Sequence, residues 1–346
     1  MTMWKINRRR FITISAVAAG LAVGAGSNIG GICEAQAGIL DLGVGADLMR
    51  WQGAALGAKA QIMLYSDDRN RADEIFKRCQ REMTRLEKII SLYVKDSAIN
   101  RLNAHGILHD PDFEFLELMS RCLSCYQITG GAFDVTIQPL WQLYANHFAT
   151  VGADPSGPSQ EQVENILRLV GSDKIILEAG RISFTKPGMG ISLNGVAQGY
   201  MTDRVAKILK EAGFENILVH MGETMAMGQH GDGRPWTAGI SSPLKDDKIL
   251  LTMPLKNQAL ATSGGYGSPF SDQSRLHHLL DPKTGQSAHH HGAVSVVAQD
   301  ATTADMLSTA FYVMDFDKVP EVWAKYPAAV RAIFVDPAGK ITNFTG

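Results

Sequence analysis

The feature that most constrains the fold is a charged stretch at residues 71–92 whose apolar side chains recur every three or four positions. That spacing places them on one side of an α-helix. The side chains concerned are Ala72, Ile75, Phe76, Cys79, Met83, Leu86 and Ile90. The pattern predicts an amphipathic helix with one buried face, and 346 residues are enough to build a sizeable core around it.

The rest of the chain mixes short strand patterns with helical ones. Hydrophobic periodicity predicts strands at 58–64, 174–178, 181–185, 216–220 and 332–335. It predicts further helices at 98–103, 112–129, 159–170, 195–212 and 303–314, and Ser159 with Gln162 forms a capping box at the start of the third of these. Because the two kinds of element show no regular βαβ alternation, we expect an α+β fold.

The charge balance excludes one class of function. The chain has 35 Asp and Glu residues against 33 Lys and Arg, a net charge of −2. Nucleic-acid-binding proteins usually carry a basic footprint, so we expect no nucleic-acid partner. With 45% hydrophobic and 20% charged residues, the chain is also unlike disordered or collagen-like sequences.

Four cysteines are too few for a disulfide scaffold. Cys122 and Cys125 form a CxxC pair, which invites a redox interpretation. They fall late in the predicted helix 112–129, however, whereas a reactive CxxC normally opens a helix, where the helix dipole lowers the thiol pKa. We therefore favour buried structural thiols.

The N-terminal segment resembles a twin-arginine export signal. Arg8, Arg9 and Arg10 precede Phe11, and no charged residue occurs between positions 11 and 33. The sequence 35–37, Ala-Gln-Ala, then provides a cleavage site. We expect residues 1–37 to be a signal peptide and residues 38–346 to form the mature domain in the periplasm. The alternative is an uncleaved anchor, because the uncharged stretch is long enough to span a bilayer.

Two segments have the chemistry of a phosphate and cation site. In the sequence 191–200, ISLNGVAQGY, an apolar strand end runs through a glycine turn into a helix, whose free N–H groups attract phosphate. In the predicted helix 303–314, with Thr303 as N-cap, Asp305 and Thr309 lie four residues apart on one face, which suits Mg²⁺. The structural alternative for the first segment is a tight turn. For the second, Asp305 would interact favourably with the helix dipole and the Thr309 hydroxyl would hydrogen-bond to the backbone of its own helix.

Two further segments carry histidines and glycines. In the sequence 277–285, HHLLDPKTG, a strand would deliver His278 and Asp281 to a turn. Five of the ten histidines lie between His277 and His291, so copper or zinc binding competes with a structural role. The glycine pair 130–131 precedes a strand-like, proline-terminated stretch, 132–140.

Taken in order, five segments resemble the ApbE-like family, the FAD:protein FMN transferases. They are GAFDVTIQPL (131–140), LNGVAQGY (193–200), TSGGY (262–266), HLLDPKTG (278–285) and TTADMLSTA (302–310). The resemblance extends from about Trp51 to Val335. Three features look most like the NosX branch, which accompanies nitrous oxide reductase maturation. They are the sequence LNGVAQGY, the sequence WQGAALGAKAQI at 51–62 and the export signal.

The resemblance implies a reaction and its participants. Such enzymes split the pyrophosphate of FAD, attach FMN through its phosphate to a Thr or Ser hydroxyl of a partner flavoprotein, and release AMP. FAD is then the substrate and Mg²⁺ the cofactor. The acceptor would be a membrane-bound, NosR-like flavoprotein facing the periplasm, so that contact with the membrane is only through the partner. The implied architecture is a single T-fold-like α+β domain with mixed sheets and packed helices.

The resemblance also implies site residues. Mg²⁺ would be held by the Gly195 carbonyl, Asp305 and Thr309, with Ser308 adjacent. His278 and Asp281 of the HxxDP signature would be the catalytic residues, with His278 helping to deprotonate the incoming hydroxyl. The flavin-contact positions are Leu56, Tyr93, Ala132, Phe133, Asp134, Ser192, Gln198 and Leu280.

Two of these positions depart from the family pattern. Ser192 stands where the family usually has Asp, and Gln198 where it has Lys or Glu-type side chains. Both changes remove a charge from the nucleotide site. They favour an alternative function, a periplasmic FAD-binding accessory module without transferase activity. A third hypothesis is a copper chaperone that uses the histidines from His277 to His291.

Overall fold

An antiparallel sheet forms the centre of the computed structural model, which describes residues 47–243, 249–271 and 276–346. Within these residues the sheet has eight strands in the order β1-β2-β6-β7-β10-β11-β12-β13. The strands are β1 (Asp47–Ala55), β2 (Ala58–Ser66), β6 (Ile217–His220), β7 (Thr224–Met227), β10 (Gln258–Ser263), β11 (Ala293–Ala298), β12 (Ala329–Val335) and β13 (Ile341–Phe344). The predicted signal peptide 1–37 lies outside the described residues.

Two smaller antiparallel sheets accompany the large one in the described part of the chain. The first has the order β3-β5-β4, and the second is the hairpin β8-β9. Their strands are β3 (Ile107–His109), β4 (Ile175–Glu178), β5 (Arg181–Phe184), β8 (Trp236–Ser241) and β9 (Ile249–Leu255). The β4-β5 hairpin is the one that the sequence predicts at 174–178 and 181–185.

Helices occupy the connections between the strands. The α-helices of the described residues are α1 (Arg69–Ile90), α2 (Ala98–His105), α3 (Phe113–Ile128), α4 (Gln138–Phe148), α5 (Gln160–Leu167), α6 (Ala197–Glu211), α7 (Ala301–Val313) and α8 (Val319–Trp323). Single 3₁₀ turns lie at Val135–Ile137, Ser172–Lys174, Gly265–Gly267 and Phe316–Lys318. No helix formed by the described residues combines the length and apolar character of a membrane span.

The central strands are buried on both faces. On β10 and β11, alternate residues such as Ala261 and Val296 point to a core that includes α7, while Leu260 and Val297 point to a core shared with the β8-β9 hairpin. This alternation follows from the two-residue period of a strand. Because both faces are covered, β11 is buried along its whole length and α7 at every position but one.

Most predicted elements are confirmed, with shifts of one to three residues at their ends. The helix predicted at 71–92 is α1, and its predicted apolar face is the buried one. The capping box of Ser159 and Gln162 is also present, with both reciprocal hydrogen bonds formed. Helix α5 ends at Leu167, earlier than predicted.

Four local predictions are wrong. The stretch 132–140 is a 3₁₀ turn followed by the start of α4, because Pro139 occupies the first turn of that helix, where its missing N–H costs nothing. Neither Ile191 nor His278 lies on a strand; the segment around His278 forms only isolated bridges, such as Leu280 with Ser287. Helix α7 is capped by the side chain of Asp300, not by Thr303.

The cysteines agree with a structural role. Cys79, Cys122 and Cys125 are free and fully buried. Burial raises the thiol pKa of Cys79 and of Cys125 to about 12, and raises that of Cys122 well above its ordinary value. Thiols in this state are not nucleophilic at neutral pH, so the redox interpretation of the CxxC pair is not supported.

Candidate active site

A cavity of about 640 Å³ brings together residues from all five motif segments. This volume lies in the range of small-molecule and cofactor pockets. Of the predicted site residues, those that line the cavity are Ala132, Phe133, Asp134, Ser192, Gly195, Gln198, His278, Leu280, Asp305 and Thr309. Thr262 and Ser263 of the TSGGY segment line it as well.

The first turns of α6 and α7 meet at the cavity. The Gly199 N–H donates to Oδ2 of Asp305 at 2.9 Å. A Cβ atom on Gly199 would collide with the Ala301 carbonyl and would lie 2.8 Å from Cβ of Asp305. Only glycine therefore allows this approach, which holds the Asp305 carboxylate at the start of α6.

Asp203, which sequence reasoning missed, ties the two helices together one turn further along α6. Its carboxylate accepts hydrogen bonds from the backbone N–H groups of Ala301 and Thr302, at 2.7 and 2.8 Å. These donors belong to the first turn of α7 and would otherwise be unsatisfied. Burial, followed by repulsion from the neighbouring Asp300, raises the pKa of Asp203 to about 6.

Oxygen atoms converge beside Asp305. A Cβ atom on Gly195 would lie 3.1 Å from Oγ1 of Thr309, so these two predicted ligands are neighbours. Oγ of Ser263 lies 3.3 Å from Oγ1 of Thr309 and 2.8 Å from Oγ of Ser308. Ser308 itself is buried and does not line the cavity, so its contact with the site passes through Ser263.

A second carboxylate, Glu223, lines the same cavity and was not predicted. It is 3% exposed and accepts a hydrogen bond from the Thr262 N–H at 3.2 Å. Burial, followed by repulsion from Asp305, raises the pKa of Glu223 well above its ordinary value. Burial also raises the pKa of Asp305 to about 7. In the described part of the chain, neither carboxylate has a basic partner within ion-pair distance.

This donor set fits a hard divalent cation. Mg²⁺ is usually held by one or two carboxylates together with other oxygens and substrate phosphates. Carboxylate and hydroxyl oxygens of Asp305, Glu223 and Thr309 face one cavity, and two buried acids without a countercharge would be stabilised by a cation. Asp305 and Glu223 are only two such side chains, and the described residues contain no group of three or more His, Cys, Asp or Glu arranged to bind a metal, so the protein carboxylates alone are an incomplete set of ligands.

Two predicted flavin contacts, Leu56 and Tyr93, do not line the cavity. Leu56 lies in the turn between β1 and β2, with φ of 50°, and its N–H donates to Oε1 of Glu87 at 2.7 Å. The Tyr93 side chain is 54% exposed and is hydrogen-bonded to Asn194, which does line the cavity. We therefore place Tyr93 at the rim.

Asp134 reaches the cavity with its carboxylate already engaged. It accepts hydrogen bonds from the Thr136 hydroxyl and the Ser172 hydroxyl, both at 2.6 Å, and from the backbone N–H of each residue. These bonds connect the 3₁₀ turn at 135–137 with the one at 172–174. Asp134 therefore shapes the wall that presents Phe133, whose ring lies near Gly195.

His278 and Asp281 occupy different positions relative to the cavity. His278 lines it, and the ring Nδ1 lies 3.2 Å from the carbonyl oxygen of Ser268. Burial lowers the His278 pKa to about 4. The Asp281 carboxylate instead accepts from the Lys283 N–H at 2.8 Å and from the Thr284 hydroxyl at 3.1 Å, so it stabilises the turn that follows.

The remaining histidines of the cluster are spread over different environments. His277 and His291 are buried, whereas His289 and His290 are exposed. His277 packs edge-on against His289, with ring centroids 5.2 Å apart, and His290 pairs with Asp315 at 3.3 Å. No metal-binding group of three such side chains forms among the residues described, so the copper chaperone hypothesis gains no support.

Comparisons with known proteins identify the family. A sequence model of the ApbE family matches residues 56–334. The chain is 31% identical over 266 residues to the FAD:protein FMN transferase of Haemophilus influenzae, covering 73% of this chain and 76% of that protein. It is 27% identical over 292 residues to the Escherichia coli K12 protein of the same name, covering 82% and 83%.

Solved structures agree with the sequence comparison. The ApbE protein of Thermotoga maritima has a TM-score of 0.75 at 30% identity, covering 86% of this chain and 96% of that one. The apo form of the Pseudomonas stutzeri flavinyl transferase ApbE has a TM-score of 0.72 at 26% identity, covering 87% and 94%. This chain belongs to the ApbE family, and the prediction of a single α+β domain of that family is confirmed.

Proposed function

We propose that this chain transfers FMN from FAD to a Ser or Thr hydroxyl of a partner flavoprotein and releases AMP. The observation that carries the proposal is the single cavity in which five motif segments converge, with Asp305, Thr309 and His278 on its wall. The activity named for the Haemophilus influenzae and Escherichia coli relatives supports it.

The reaction is a phosphoryl-type transfer. The acceptor hydroxyl oxygen forms a bond to the FMN phosphorus of FAD. The bond between that phosphorus and the bridging oxygen breaks, and the bridging oxygen leaves with AMP. The hydroxyl proton passes to Nε2 of His278.

The hydrogen bond at Nδ1 prepares His278 for this role. A carbonyl oxygen can only accept, so the Ser268 carbonyl requires the proton on Nδ1 and leaves the lone pair on Nε2. Burial lowers the pKa of His278 to about 4, so the ring is neutral at pH 7, and the same shift makes it a weaker base than an exposed imidazole. Asp281 is a positioning residue, since its carboxylate holds the turn that follows His278.

We further propose that the enzyme depends on Mg²⁺. The residues that would hold it are Asp305, Thr309 and the Gly195 carbonyl, with Glu223 nearby. When bound, the cation supplies positive charge to the pyrophosphate oxygens and stabilises the charge that develops on the leaving AMP. Gly199 and Asp203 keep the two helices that carry these ligands in register.

The sequence resemblances support a proposal for the cellular setting. We propose that twin-arginine export and cleavage after Ala37 place residues 38–346 in the periplasm. There the acceptor would be a membrane-bound, NosR-like flavoprotein, and the enzyme would support nitrous oxide reductase maturation. The sequence LNGVAQGY and the signal-like N-terminal segment support this proposal for the location and the partner.

A labelling assay tests the activity. The purified protein is incubated with FAD, MgCl₂ and a Thr-bearing acceptor domain, and denaturing gels are imaged for flavin fluorescence while AMP is quantified. We expect a fluorescent acceptor band and one AMP per flavin attached. Asp305→Asn should abolish both signals, and EDTA should do the same to the wild type.

The control and the contrary outcomes are defined by the same assay. Asp315→Asn replaces an exposed Asp just beyond the other end of α7 and should leave labelling unchanged. FAD binding without AMP or a labelled band would contradict the proposal and would favour the accessory-module hypothesis, for which Ser192 and Gln198 on the cavity wall are the motivating residues.

A further inference from the structure

A second cavity, of about 370 Å³, lies between α1 and α6 and shares no lining residue with the candidate active site. Five cationic side chains line it against two carboxylates. The lining residues are Arg78, Arg81, Glu82, Arg85, Arg204, Lys207, Ile208 and Glu211. We call this cavity the basic groove. Its positive charge contrasts with the net charge of −2 of the whole chain.

Two of its arginines are already committed to carboxylates. Arg85 contacts Glu82 at 2.9 Å and Glu114 at 2.6 Å, and Arg204 contacts the same two acids at 3.1 and 3.6 Å. This network joins α1, α3 and α6, and its members Glu82, Arg85 and Arg204 line the groove. Nε of Arg204 is buried and has no hydrogen-bond partner among the described residues.

The other three cations have at most one weak ion-pair contact. Arg78 and Arg81 are exposed, and in the described part of the chain neither forms an ion pair. Lys207 has one distant contact, with Glu211 at 3.9 Å, and is 63% exposed. The unpaired Arg78 and Arg81 on one wall and the weakly paired Lys207 on the other give the groove positive charge that favours an anionic ligand.

The spacing of the cations favours an extended ligand over a compact one. Arg78, Arg81 and Arg85 lie on one side of α1 and span about 10 Å along its axis at 1.5 Å per residue. Since Arg85 is already paired, the cations left for a ligand are Arg78 and Arg81, about 4.5 Å apart along α1, and Lys207 on α6, so a ligand with several carboxylates can contact both walls. Arginine also binds carboxylates in defined planar geometry, as Arg85 does with Glu82.

We infer that the basic groove binds an acidic segment of the acceptor flavoprotein. Helix α6 links the two sites, since Gln198 in its first turn lines the active-site cavity and Arg204 lies about 9 Å further along the axis. Along this axis the two sites are therefore separated by less than the radius of gyration of a 100-residue domain, about 13 Å, so that one acceptor domain can span them. The inference rests on the proposed function for the identity of the partner, and on the groove alone for the chemistry of the ligand.

The test measures binding of a fluorescein-labelled hexaglutamate peptide to the full-length protein by anisotropy at low ionic strength. The variant Arg78→Gln/Arg81→Gln/Lys207→Gln keeps the Arg85–Arg204 network intact. We expect it to weaken peptide binding roughly tenfold, because three exposed charge contacts are lost. The matched control Lys88→Gln/Lys256→Gln/Lys340→Gln removes the same charge from exposed positions outside the groove and should bind as the wild type does.

Three outcomes would overturn the inference. The first is equal peptide affinity in the groove variant and the control. The second is displacement of the peptide by inorganic phosphate more efficiently than by chloride at equal ionic strength, which would indicate a phosphate site. The third is groove-dependent sedimentation with phosphatidylglycerol vesicles, which would indicate a membrane surface. Peptide binding needs no flavin chemistry, so failure of the labelling assay would not affect this result.

In the presence of an acceptor, the groove variant gives a second readout. We expect a higher KM for the acceptor, with kcat and the KM for FAD unchanged. If the groove variant and the wild type have the same KM for each acceptor that they label, the basic groove has no role in acceptor binding, even if it binds the peptide.

Discussion

His278 combines the properties that a proton acceptor in the cavity needs. It lines the cavity, its Nδ1 is engaged by the Ser268 carbonyl, and burial keeps the ring neutral at pH 7. The carboxylate of Asp281, three residues later, instead accepts a hydrogen bond from the backbone N–H of Lys283. Two residues of one short motif thus have different roles, since one side chain points to the cavity and the other closes the adjoining turn.

Replacing His278 by Gln should lower kcat for FMN transfer by a factor of about 10² to 10⁴, because general-base assistance is lost while the side chain stays polar. The KM for FAD should change little. The measurement is the initial rate of AMP release with a saturating acceptor. The control is His109→Gln, which alters an exposed histidine on β3 outside the cavity. A rate within twofold of the wild type would exclude His278 as the base.

Helices α6 and α7 act as one unit. The contact between Gly199 and the start of α7, together with the Asp203 cap, determines where Asp305 and Thr309 lie relative to Gly195. The pair Asp305 and Thr309 share a face of α7, as their spacing predicts. Their approach to α6 depends on a glycine more than one hundred positions earlier in the chain.

Gly199→Ala should separate the two helices. The added methyl group would collide with the Ala301 carbonyl and crowd Asp305, which we expect to cost about 1–3 kcal/mol in the free energy of unfolding and most of the transferase activity. Urea unfolding and the labelling assay measure the two effects. Gly180→Ala is the control, because nothing lies within 4 Å of its added Cβ. Equal stability of Gly199→Ala and Gly180→Ala would show that the helices do not need this close approach.

At the scale of the whole molecule, the pH dependence of stability has contributions of opposite sign. Burial lowers the pKa of His220 to about 4 and that of His277 to about 3, so the unfolded state binds more protons below pH 6.5, and these histidines make the fold less stable as the pH falls. Asp203 and Asp305, whose pKa values burial raises to about 6 and about 7, favour the fold as the pH falls over the same range.

A difference measurement isolates the contribution of His277, which is 6% exposed. Wild type and His277→Gln are unfolded in urea at pH 7 and at pH 5. We expect the free energy of unfolding of the wild type, relative to that of the variant, to be about 2 kcal/mol smaller at pH 5 than at pH 7. At pH 5 His277 is protonated in the unfolded state and neutral in the folded state, which favours unfolding. The exposed His290→Gln variant should show no such change. An advantage that grows at pH 5 would contradict the assignment of a lowered pKa.

The sequence by itself determined the elements and the chemistry that depends on local spacing. The amphipathic face of α1, the capping box at Ser159 and the i, i+4 pair of Asp305 and Thr309 each follow from contacts within about one or two helical turns. The five motif segments also identified the family. By contrast, the apolar pattern of 132–140 is compatible with either element type, so the prediction of a strand there is wrong.

The tertiary structure alone decided which distant groups meet. Glu223 joins Asp305 at the cavity, Asp203 caps a helix about one hundred residues later, and the cations of the basic groove come from α1 and α6. None of these contacts leaves a periodic signal, because each joins residues far apart in the chain. Packing of the helices on the sheet sets these distances, and with them the burial that shifts the pKa values at the site.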